Sequence, residues 1–246
     1  MPMHYLRGLS GPDRTDATNR RLGRSLAFVA GAVNAGGFFA VGQYTSHMSG
    51  VVSSLADSAV LGEARLLLAG LVSLSAFFAG AATSAILINW GRLHNAHSRY
   101  ALPLLLEASL LLSFGVFGAE LAALGHVTDI LGLLCYVMGL QNAIITKASR
   151  AEIRTTHVTG LVTDIGIELG KLVYWNGDAA VGHRVHADHG RLALLGSLLA
   201  MFLCGGLAGA YGFKHWGYAT TVPLAAVLLL LSAVPLMDDM RAVSRT

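Results

Sequence analysis

Apolar residues in this chain come in long runs separated by short polar breaks. Stretches centred on 26–44, 66–90, 101–122, 127–146, 192–213 and 217–237 each approach the roughly 20 apolar residues that cross a bilayer. The pattern predicts an all-α, polytopic membrane protein with about six transmembrane helices. Two further segments, 45–62 and 155–175, are moderately apolar, rich in Gly, Ser and Thr, and too interrupted for full crossings. They are expected to be short polar, re-entrant helical segments.

Those two segments open alike. Asn34-Ala35 leads into Thr45-Ser46-His47-Met48-Ser49-Gly50, and Asn142-Ala143 leads into Thr155-Thr156-His157-Val158-Thr159-Gly160. Downstream, Phe77-Phe78-Ala79-Gly80 matches Phe202-Leu203-Cys204-Gly205, and Tyr100-Ala101 matches Tyr218-Ala219. An internal repeat constrains architecture before any single residue is interpreted. With three spans per half, the second copy is expected to lie upside down in the membrane. The organisation expected is a basic tail at 1–24, a single membrane domain at 25–237 with repeats 25–122 and 127–237, and a short tail at 238–246.

Composition agrees. The chain is 54% hydrophobic and 13% charged, against about 25% charged in soluble domains. Residues 1–24 hold five arginines and no apolar run long enough for a signal peptide, so the first span is expected to stay. With the N-terminus inside, only Arg65 and Lys214 among the 17 basic residues fall outside. The positive-inside rule then puts both termini in the cytoplasm. The formal charge of +3 is dispersed between apolar runs, which argues against nucleic acid as a partner and for the lipid bilayer. Cys135 and Cys204 both lie in apolar spans and are expected to be buried thiols.

Irregular backbone survives at membrane depth only where protein or a water-filled cavity satisfies it, so the paired motifs are candidates to line something. His47 and His157 supply titratable groups. Thr45, Ser46, Thr155 and Thr156 are placed to cap the helices that follow and leave amides facing a solute. Asn34 and Asn142 fit a binding role or interhelical hydrogen bonding equally well. Glu107, an acid within the third span, is a candidate for a coupling proton or an interhelical partner of His47, a Ser or an Asn. Asp164 is expected at the inner mouth, in an ion pair with Lys171. His183, His186, Asp188 and His189, with His94 and His97, have loop spacing that zinc can use, but a solvated loop explains them better. No metal site and no cofactor are expected. Small residues at Gly80, Ala81, Ser84, Gly205, Gly206 and Gly209 give close-packing spacing and leave a homo-oligomer open.

The run Ala30-Gly31-Ala32-Val33-Asn34-Ala35-Gly36-Gly37-Phe38, then Ser46-His47-Met48-Ser49-Gly50, with Arg154-Thr155-Thr156-His157-Val158-Thr159-Gly160 and Thr163-Asp164, resembles the YoaK-like family of six-span bacterial inner-membrane proteins. The resemblance covers about residues 24–237 and implies a multi-pass inner-membrane protein; the family's function is itself unassigned. Two departures stand out: Gly50 is followed by Val51 where the family usually has Asn, and His157 stands where a tyrosine is frequent. The expectation is a small-solute transporter, with proton coupling through Glu107. The alternatives are a non-transporting scaffold and, behind it, a membrane enzyme.

Overall fold

The computed structural model describes residues 15–94, 96–177 and 184–243. Every regular element among them is helical: α1 (Asp16–Val41), α2 (Met48–Leu61), α3 (Ala64–Leu93), α4 (Ala101–Ala123), α5 (Val127–Ala148), α6 (Val158–Val173), α7 (His189–Trp216) and α8 (Thr221–Val243), with a 3-10 turn at Gly217–Thr220. Five stretches are long and apolar enough to cross a membrane, the last being the 53 residues His189–Arg241 that hold α7, the turn and α8. The short helices α2 and α6 have 14 and 16 residues, or about 21 and 24 Å at 1.5 Å per residue, less than a hydrocarbon core of about 30 Å.

Local chemistry sets the boundaries. Thr15 accepts from the Thr18 N–H and Thr18 reaches back to the Thr15 N–H, a reciprocal cap that starts α1 at Asp16, well ahead of the apolar run. Residues 16–24 therefore belong to α1 as helix. Gly42 and Gly62, both at φ 72°, end α1 and α2 in the left-handed conformation that only glycine adopts without penalty. A bend at Gly42 and Gln43 and a turn at Thr45 and Ser46 then lead to the start of α2.

Packing is pairwise and follows the repeat. α1 packs chiefly on α7, α3 chiefly on α5, and α4 on α8. Exchanging α1 with α5, α3 with α7 and α4 with α8 returns the same three pairs. The close approaches repeat as well. A Cβ on Gly31 would run into the Phe202 carbonyl and one on Gly139 into the Phe77 carbonyl; one on Gly80 would strike the Tyr136 carbonyl and one on Gly205 the Phe28 carbonyl. Glycine at these four positions lets the backbones touch. The small residues of α3 and α7 thus face inward and are used within the chain. One apolar core joins α1, α4, α5, α7 and α8, with Leu26, Leu104, Met138 and Leu228 fully buried. Of the two free cysteines Cys135 is buried, whereas Cys204 is exposed, contrary to expectation, because the inner face of α7 at this level belongs to Gly205.

Candidate functional site

Asn34, near the C-terminal end of α1, accepts from both the backbone N–H (3.1 Å) and the hydroxyl (2.9 Å) of Ser46. Asn142 on α5 accepts from the Thr156 hydroxyl at 2.7 Å. In each half one asparagine fixes the residue just before the motif histidine. His47 and His157 then occupy the N-cap positions of α2 and α6, and neither makes a side-chain cap. Ser46 and Thr156 do not cap those helices either, because their hydroxyls are spent on the asparagines. Thr45 and Thr155 are fully buried, and neither hydroxyl has a partner among the described residues. A buried hydroxyl left unmatched costs on the order of 1–3 kcal/mol, and here the cost is met twice at matching positions. Gly50 and Gly160 make room for the imidazoles, since a Cβ on either would collide with the ring three residues earlier.

The two motifs meet around one cavity of about 870 Å³. Its lining comes largely in repeat-matched pairs: Asn34 with Asn142, Ser46 with Thr156, His47 with His157, Met48 with Val158, Ser49 with Thr159, Phe77 with Phe202, and Tyr44 with Arg154. Thr146 completes it. The N-terminal turns of α2 and α6 both border this space. Six of the eight motif and asparagine residues singled out in the sequence line it; Thr45 and Thr155 sit buried behind.

A second cavity, about 670 Å³, is lined by Arg20, Glu152, Asp164, Asp188 and Arg191 among others, and shares Arg154 and His157 with the first. Asp164 lines this cavity, and its partner is Arg191 on α7 at 3.0 Å, not Lys171. Lys171 instead bonds Glu168 at 2.8 Å, since three residues along a helix bring two side chains together and seven place them two turns apart. Glu168 also accepts from the Asp188 N–H at 2.9 Å, tying α6 to the start of α7. Asp188 caps α7 by accepting from the Arg191 N–H, which holds its carboxyl below the usual carboxylate range.

Glu107 is fully buried and lies outside both linings. It accepts at 2.8 Å from the Gln141 amide, one residue before Asn142. Of the loop histidines, His97 bonds Asp239 at 3.1 Å and His94 bonds the Trp90 carbonyl at 2.9 Å. His183 lies outside the described residues, and among those described no three His, Cys, Asp or Glu side chains gather as a metal site.

Arg154, Gln141, Glu168 and Arg191 carry much of this geometry without having been singled out as site residues. Arg154 stood in the quoted motif but counted only as inner-face charge, and Glu168-x-x-Lys171 was a readable helical pair. Neither Gln141 nor Arg191 had a sequence signal pointing to its partner.

No curated protein and no solved structure matches the chain. One family model does, over residues 22–234, and it agrees with the YoaK-like resemblance and with apolar helices built to lie in a membrane. The chain belongs to the family described as "Protein of unknown function (DUF1275)".

Proposed function

We propose that the protein is a small-solute transporter of the bacterial inner membrane, built from two inverted three-span repeats whose re-entrant helices α2 and α6 enter from opposite faces. The observation that carries this reading is the shared cavity, lined in matched pairs by both halves. Inverted-repeat transporters place broken or short helices at the repeat interface and move one half against the other around that site. In this reading α7 and α8 are separate crossings, making six, because 53 residues of helix far exceed one bilayer and the 3-10 turn at Gly217–Thr220 breaks them. Both termini are cytoplasmic, and the cavity shared by Arg20, Arg154 and Arg191 is the inner mouth. Glu107 carries the coupling proton in this scheme, acting through Gln141 on the neighbouring Asn142. Small residues facing outward on the second and fifth spans would favour the scaffold alternative; Gly80 and Gly205 face inward, while Ala79, Ala82 and Ala208 are exposed.

The test uses Ser49→Cys and Thr159→Cys, one at a time, in a Cys135→Ala/Cys204→Ala background. A small membrane-impermeant maleimide should reach position 49 from the outer face and position 159 from the inner face of oriented vesicles. Modification of both from one face alone would sink the inverted arrangement.

A further inference from the structure

Resting on the transport reading of the same cavity, we propose that its solute is a small oxyanion, of carboxylate or phosphate type, with Arg154 as its charge anchor.

Among the described residues the cavity is lined by one guanidinium and two imidazoles, and by no Asp or Glu. The guanidinium is uncommitted. Nearby Arg20 lies 3.8 Å from Glu152 and Arg191 lies 3.0 Å from Asp164, whereas Arg154 has no carboxylate within ion-pair distance among the described residues. The acidic groups of the neighbouring mouth are thus already matched, and Arg154 faces the central cavity with its charge unspent.

The hydrogen-bonding groups point the same way. The side-chain oxygen of Asn34 already accepts twice from Ser46, and that of Asn142 accepts once from Thr156. The Asn34 amide remains as a donor, while that of Asn142 goes to the Met138 carbonyl. Neither α2 nor α6 has a side chain capping its first-turn N–H groups, and both first turns border the cavity. The Met48 N–H goes to the Ser46 carbonyl, and the remaining first-turn amides carry partial positive charge that suits an anionic oxygen. A cationic solute would meet a guanidinium and two positive helix ends.

The charge is also one-sided. Arg154 occupies the position that Tyr44 holds in the other half, and Tyr44 is stacked on Phe38 with ring centroids 5.0 Å apart. The anchor therefore belongs to the half whose motif also borders the second cavity. An oxyanion held by Arg154 and His157 lies at the partition between the two spaces, the position from which it passes into the mouth lined by Arg20 and Arg191.

The experiment measures thermal stabilisation of the detergent-purified full chain by sodium phosphate, sulfate, acetate and succinate at constant ionic strength. Choline chloride and glycerol serve as cationic and neutral probes. At least one oxyanion should raise the melting temperature saturably, since binding to the folded state alone stabilises by mass action. Phosphate and sulfate acting alone would assign the phosphate type, acetate and succinate alone the carboxylate type. R154Q should weaken the response at least about tenfold, R154K should weaken it less by keeping the charge but not the fork, and R92Q, outside the cavity, should leave it unchanged. Silence of all four oxyanions, or equal stabilisation of wild type and R154Q, would overturn the proposal. Choline or glycerol binding that is lost on N34A/N142A would also overturn it while leaving the cavity as the solute site. Saturable oxyanion binding without flux of that anion in proteoliposomes would keep the anion site and remove the transport reading.

Discussion

At the scale of single residues, Glu107 and Gln141 are instructive because their repeat partners are Ala225 and Val33. The polar pair is fully buried and so is its apolar counterpart, Ala225 at 0% and Val33 at 1% exposure. Polarity changes at both positions or at neither, as expected if burying one half of a hydrogen bond costs more than replacing both partners. Glu107→Ala strands the Gln141 amide and should destabilise by about 1–3 kcal/mol, read as a lowered melting temperature. Glu107→Ala/Gln141→Val rebuilds the apolar pair of the other half and should recover most of that loss. A double variant no more stable than the single one would show that the pair holds the helices by something other than this bond. Glu107 was visible in the sequence as an acid in an apolar run, but its partner was not. One chain gives the register of each helix and no information on which rotation faces which neighbour.

At the scale of helices, length and small-residue spacing were readable and their purpose was not. The Gly80 and Gly205 spacing announced close packing, yet did not say whether the neighbour was another copy or the same chain. The structure answers with four backbone-to-backbone contacts, Gly31 and Gly205 joining α1 to α7, Gly80 and Gly139 joining α3 to α5. Gly196 lies on α7 with open space where its Cβ would be. Gly31→Ala or Gly139→Ala should cost about 1–3 kcal/mol by forcing packed helices apart, whereas Gly196→Ala should be neutral. Chemical-denaturant or thermal unfolding in one detergent checks all three. Equal tolerance at Gly31 and Gly196 would mean the interfaces are looser than drawn. The caps show the opposite limit. Ser and Thr before a helix read naturally as N-caps, but Ser46 and Thr156 face asparagines more than ten residues earlier in the chain. Tertiary partners outcompeted the local bond, and only the fold brings Asn34 and Asn142 within reach.

At the scale of the whole molecule, the question left by two short helices is which side of the membrane each loop occupies. If α2 turned back to the face it came from, residue 62 and the loop 94–100 lie on opposite sides, outer and inner. If α2 crossed completely, both positions exchange sides, and Arg92 and Arg99 would face outward against the charge bias of the rest of the chain. At 14 residues the helix is too short to cross without thinning the bilayer. In the transport reading the irregular lead-in from Gly42 to His47 supplies an inward leg and the helix itself the return. Backbone of that kind is tolerable at membrane depth because Asn34 and the cavity take up its polar groups. Reporters that are active only in the periplasm should therefore be active when inserted at Gly62 and Gly125, and inactive at Ala96 and after Val243. Activity at Ala96 with none at Gly62 would make α2 a full crossing. The two motifs would then enter from the same face, and the mirrored cavity lining would need an origin other than inverted repeats.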